Sequence, residues 1–188
     1  MAEAKSLQCG IVGAGIAGLA AAIALRRAGH EVEIYEKSHF KNEIGAAITF
    51  TPNANRILEH WSLDSHKAKE TDKCQWRRLD AQTLERIAHT DFSDVEAKFG
   101  HRFCAYHRVD IHNLMRETAV SEALPGRPVS IHLGSQVMDI NCEEGIMTLY
   151  DGTRIAKDLL IIADGIKVSV LSQCLWNTEL TLSRRAAS

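Results

Sequence analysis

The pattern of apolar and polar positions opens with a short apolar run from Leu7 to Val12 that leads into a glycine, the signature of a buried parallel strand. A helix is predicted next, because Ile16, Leu19, Ile23 and Arg27 recur at spacings of three and four, alanines fill the gaps, and Gly29 stands where a helix stops. Glu31 to Tyr35 reads as a second strand. Strand, helix and strand in about thirty residues make a βαβ unit, whose crossover is right-handed in nearly all known cases.

After a polar stretch from Lys37 to Glu43, residues Gly45, Ala46 and Ala47 precede an apolar turn at Ile48 to Phe50. Pro52 opens a helix expected to carry Ala54, Ile57, Leu58 and Trp61 on one face; proline near the first position loses no hydrogen bond. Alternating segments at Cys74 to Leu79, Leu84 to Thr90 and Phe103 to His107 predict strands of an inserted sheet. A second long helix is predicted from Asp110 to Ala123, with Asp110 as its cap and Ile111, Leu114, Met115 and Ala119 at helical spacing. Val129 to Leu133, Val137 to Asn141 and Ile146 to Tyr150 then read as strands, and Asp151-Gly152 as a two-residue hairpin turn. Asp158 to Ala163 is again a buried apolar run, ending in Asp164-Gly165, so the sheet begun at Leu7 is expected to gain a further member here. The expected class is α/β: a Rossmann-like domain with a parallel sheet plus inserted and appended antiparallel strands.

Composition narrows the function classes. At 188 residues, with 45% apolar and 24% charged residues, the chain suits one globular domain. A formal net charge of −2 gives no electrostatic case for nucleic acid or an anionic membrane surface. The uncharged stretch from Cys9 to Leu25 is too short and glycine-rich for a membrane span. The five cysteines, odd in number and without a CxxC pair, read as reduced, buried thiols in a cytosol-like compartment. Cys104, His107 and His112 lie close in sequence but lack a fourth ligand at suitable spacing, so no metal site is expected. No GxSxG elbow presents a nucleophilic serine.

Chemistry concentrates in Gly13-Ala14-Gly15-Ile16-Ala17-Gly18, a GxGxxG segment between a strand and a helix, followed by the acid Glu36 at the end of the next strand. Gly13 permits the tight turn, Gly15 lets backbone approach a pyrophosphate, and Gly18 allows close packing of helix on strand. The helix N-terminus offers free N–H groups and a dipole worth ~0.3–1 kcal/mol to an anion. Glu36 can accept hydrogen bonds from ribose hydroxyls, which favours FAD or NAD over a 2′-phosphorylated ribose at this pocket. The residues themselves do not separate FAD from NAD, because the two share that half.

Four segments in order, GIVGAGIAGLAAAIALRRAGHEVEIYEK, EIGAAITFTPNANRIL, HRVDIHNLM and DLLIIADG, resemble the salicylate hydroxylase-like family of FAD-dependent monooxygenases. The resemblance implies that Gly13, Gly15, Gly18 and Glu36 bind the ADP part of FAD. It implies that Gly45, Ala46 and Ala47 lie against the flavin, with alanine where glycine is usual, and that Arg108 matches the family's arginine before the long helix. It also implies that Asp164 and Gly165 touch FAD and the docking NADPH. The expected function is NADPH-driven hydroxylation of an aromatic or polyketide-type small molecule, with catalytic residues unassigned. A nucleotide-binding fragment without activity, or an NAD-dependent oxidoreductase, is the alternative.

The resemblance covers residues 7 to 167. Ile162 stands where the family has glycine, the serine and arginine that follow the aspartate-glycine pair are missing, and so is a second flavin motif of glycine-aspartate-alanine type. Val168-Ser169 can be encoded by a splice-donor sequence, so residues 1–167 are expected to form an incomplete FAD-binding domain in a truncated protein. Residues 168–188 are expected to be a poorly packed tail.

Overall fold

The computed structural model describes residues 5–40 and 45–165. Along the chain run β1 (Gln8–Val12), α1 (Ile16–Arg27), β2 (Glu31–Glu36), β3 (Ala47–Phe50), α2 (Pro52–His60), a 3-10 turn at Ser65–Ala68, β4 (Thr71–Asp72), β5 (Gln75–Leu79) and β6 (Arg86–Asp91). They continue as α3 (Val95–Phe99), β7 (Cys104–His107), α4 (Arg108–Val120), β8 (Ser130–Leu133), β9 (Val137–Asn141), β10 (Ile146–Leu149), β11 (Arg154–Ala156) and β12 (Leu159–Ile162). The chain divides into two compact units, residues 1–41 with 119–188, and residues 42–118. The tail expectation for residues 168–188 falls outside the described residues.

The first unit is built on a parallel sheet of order β12-β1-β2-β8. The central strand β1 buries Cys9 to Val12, as a strand covered on both faces requires, whereas β2 alternates Glu31 and Glu33 with the buried Val32 and Ile34. One face packs against α1, through the buried residues Gly18, Leu19, Ala22 and Ile23. The other meets the antiparallel β11-β10-β9 sheet, where Val12 and Tyr35 join Val137, Ile140 and Met147 in a common core. Gly10 admits this approach, since a Cβ there would stand 3.1 Å from Met147 Cε on β10. The strand after Asp158 does join β1 in parallel, as expected. It is only half-buried, with Leu159 36% exposed, because it forms an edge of the sheet among the described residues.

Helix α1 differs from its sequence pattern at its end. Arg26, not Arg27, lies on the buried face, 1% exposed, and its guanidinium donates to the carbonyls of Ala119, Ser121, Leu124 and Gly126 at 2.7–3.0 Å. Those carbonyls lie at and beyond the end of α4, which accordingly stops at Val120 rather than Ala123. At its other end α4 starts at Arg108, placing Asp110 inside the first turn instead of at the cap.

In the second unit β3, β7 and β4 form an antiparallel sheet, while β5 and β6 pair as a separate two-stranded ribbon. The segment Ile48 to Phe50, read as a turn, is strand. Helix α2 buries Asn55 and Leu58 and leaves Ile57 44% exposed, against the expected apolar face. Asn55 wins the inward position because it satisfies buried polar groups: its amide donates to the carbonyls of Phe50 and Arg102, and Tyr106 donates to its oxygen at 2.9 Å. Among the described residues Cys9 and Cys104 are free and buried, while Cys74 is free but exposed, so the expectation of buried thiols fails at Cys74.

Candidate dinucleotide site

The glycine-rich turn is set by three backbone constraints. The Gly13 N–H donates to the Tyr35 carbonyl at 2.9 Å, and the Ala163 N–H donates to the Val12 carbonyl at 2.8 Å, which fixes the turn between the ends of β2 and β12. Gly13 has φ +98°, and a Cβ there would lie 2.4 Å from the Ala163 carbonyl oxygen. Gly18 is closed by packing, since its Cβ would stand 2.0 Å from the Gly13 oxygen. Gly15 is different. It caps α1 with an ordinary φ of −70°, and a Cβ there would meet nothing within 4 Å. Neither backbone strain nor a protein neighbour calls for glycine at position 15, and the space beside the helix N-terminus, where backbone N–H groups could meet an anion, is open.

Glu36 ends β2 beside this turn and is 8% exposed. Its Oε2 accepts the Ala14 N–H at 2.7 Å and its Oε1 accepts the Ser38 N–H at 2.8 Å. A carboxylate offers about four acceptor positions. The two engaged here fix its orientation and leave acceptor positions that hydroxyl groups could use. The turn after Glu36 is further held by Ser38 Oγ, which accepts the Phe40 N–H at 3.0 Å, and by the Ser135 N–H, which donates to the Glu36 carbonyl at 2.9 Å.

Asp164 and Gly165 follow β12 directly. Asp164 Cα would lie 3.3 Å from a Cβ at Gly13, so the first unit brings Gly13, Gly15, Gly18, Glu36, Asp164 and Gly165 to one end of the parallel strands. Ligands of open α/β sheets bind outside that carboxyl end. The remaining expected residues belong to the second unit. There Ala47 pairs with His107 across β3 and β7, and the Arg108 N–H donates to the Ala46 carbonyl at 2.9 Å. Asp110 pairs with Lys69 at 3.6 Å, not with Arg108.

The sequence reading did not find Ala14, Ser38 or His107. The first two act through backbone N–H groups that any residue but proline supplies, and so leave no trace in side-chain chemistry. Among the described residues no group of three or more His, Cys, Asp and Glu side chains could hold a metal ion, and no helix is long and apolar enough to cross a membrane.

Known proteins match this arrangement. A model of the NAD(P)-binding Rossmann-like domain fits residues 11–61. The FAD-dependent monooxygenase cfoG of Aspergillus candidus is 37% identical over the whole chain, which spans 44% of that enzyme. The chain is homologous to the N-terminal part of the FAD-dependent monooxygenases. That alignment runs past residue 167, where the motif resemblance ends. Hispidin-3-hydroxylase of Neonothopanus nambi is 34% identical over 88% of the chain and 39% of the enzyme. Among solved structures, 2-methyl-3-hydroxypyridine-5-carboxylic acid oxygenase superposes with a TM-score of 0.71 at 27% identity, covering 88% of this chain and 41% of that one. The chain thus spans less than half the length of these monooxygenase relatives.

Proposed function

We propose that this chain binds FAD and forms the cofactor-holding part of a monooxygenase that uses NADPH to hydroxylate an aromatic small molecule. The observation that carries the reading is the open Gly15 position at the α1 N-terminus, next to a Glu36 carboxylate already oriented by two backbone N–H groups. The ADP half of FAD suits both features, its pyrophosphate meeting the helix N-terminus and its ribose hydroxyls meeting Glu36. Asp164 and Gly165 in the first unit, and Gly45, Ala46, Ala47 and Arg108 in the second, would contact the rest of the cofactor. FAD, when bound, supplies the redox and oxygen-activating chemistry. The residues of this chain bind and orient it. No side chain described here is assigned as an acid or base toward the substrate.

The Rossmann-like match equally suits a protein that binds NAD. Titration of the 188-residue chain with FAD, NADH and NADPH, followed by flavin or nicotinamide fluorescence, separates the readings. Saturable FAD binding that Gly15→Ala removes supports the flavin reading, and tight NADH binding with none for FAD overturns it. Because the chain spans 44% of cfoG, we expect FAD binding without NADPH-driven hydroxylation from these residues alone. Turnover of 3-hydroxybenzoate or a similar phenol by the isolated chain would contradict this.

A further inference from the structure

Gly45 lies directly against the imidazole of His107: a Cβ at Gly45 would stand 2.0 Å from Nε2, 2.1 Å from Cε1 and 3.1 Å from Cδ2 of that ring. Its φ is not in the left-handed region, so it is the tip of the imidazole, rather than the backbone, that fills the space a side chain would take at position 45. The ring projects from the last residue of β7, next to the helix that begins with Arg108. Two main-chain constraints hold the same stretch, the Ala47–His107 pairing and the Arg108 N–H on the Ala46 carbonyl. The segment Gly45 to Ala47 is therefore laid across His107 and Arg108, with an exposed imidazole taking the place of a side chain at position 45.

From this geometry we infer that His107 is a positioning residue, setting where Gly45, Ala46 and Ala47 stand when the flavin binds. The inference rests on the FAD reading above, in which that segment meets the flavin ring. Planarity matters to the fit, since a flat ring permits the close approach of a main chain that a branched side chain would hold off. His107 is exposed, so its packing role in the fold is small.

The test is a double-mutant cycle on the full 188-residue chain, using Gly45→Ala, His107→Ala and the pair, with His107→Phe as a planar replacement. FAD affinity is read by fluorescence titration, and thermal melting is followed without ligand. We expect His107→Ala to weaken FAD binding roughly tenfold while the melting temperature stays put, and His107→Phe to recover most of the loss. Gly45→Ala should lower the melting temperature with His107 present and not in the His107→Ala background, where the new methyl has room. FAD affinity unchanged in His107→Ala, or additive losses in the double variant, would overturn the inference. If the parent chain binds no FAD, the flavin reading falls, and the melting cycle still decides the packing: coupled losses sustain the contact and additive ones refute it.

Discussion

At the scale of single residues, three glycines of one motif are retained for different reasons. Gly13 and Gly18 are closed by backbone, with added Cβ atoms 2.4 Å from the Ala163 oxygen and 2.0 Å from the Gly13 oxygen. Gly15 is open. Gly18→Ala is therefore expected to cost about 1–3 kcal/mol of stability, as overpacking does. Gly15→Ala is expected to keep the melting temperature within about 2 °C. It should still weaken FAD binding at least roughly tenfold, because the methyl enters the ligand's space. Urea unfolding and a FAD titration of both variants check the contrast. Arg26 is the second case. Its planar fork reaches four carbonyls in a buried site, so Arg26→Met should cost about 3–5 kcal/mol, and Arg26→Lys should not restore it, because an ammonium cannot span the same acceptors.

At the scale of elements, Glu33 links three parts of the first unit. It accepts from Lys157 Nζ at 2.6 Å, from the Tyr35 hydroxyl at 2.5 Å and from His132 Nε2 at 3.0 Å, joining β2 to β8 and to the residue before Asp158. The His132 ring also stacks on Tyr35, with centroids 4.8 Å apart. Burial pushes the Glu33 carboxyl upward, but the hydrogen bonds from Lys157, Tyr35 and His132 outweigh it and hold the group at about 2, against an ordinary 4.5. A folded value below the unfolded one means that the ionised form is favoured by folding. Its contribution is therefore complete above pH 4.5 and fades as pH falls toward 2. The chain should lose stability across that window, and Glu33→Gln should flatten the loss; urea midpoints at pH 5 and pH 3 measure it. Sequence patterning showed the strands that carry these groups but not the partnership. Periodicity reports which face a residue occupies, not which distant side chain shares it. The same limit hid Arg26, one position from the expected Arg27, and Asn55, whose inward place depends on carbonyls at Phe50 and Arg102. The glycine motif, Glu36 and the return of β12 beside β1 were legible because each follows from local spacing or from the pattern of a buried strand.

At the scale of the whole molecule, apolar surface is distributed unevenly. The β5-β6 ribbon has Trp76 52%, Leu79 48% and Ile87 55% exposed, Leu84 in its connection is 70% exposed, and Phe99 nearby in sequence is 65% exposed. Trp76 pairs with Thr90 and Arg77 with His89, so successive side chains on β5 alternate between the two faces. The register shifts between Arg78 and Leu79, and all five β5 residues are exposed. A two-stranded ribbon in water is marginal without packing on at least one face. Exposed apolar groups also promote association. The 188-residue chain is thus expected to bind an apolar dye and to form larger species as its concentration rises. Trp76→Arg combined with Ile87→Thr should reduce both effects, because those side chains add apolar surface without filling a core. The melting temperature of the monomer should hold, since no buried contact is lost. Sedimentation at several concentrations and dye fluorescence of the parent and double variant provide the measurement; a double variant that melts markedly lower would mean that the ribbon is packed in solution and that its apolar residues are core.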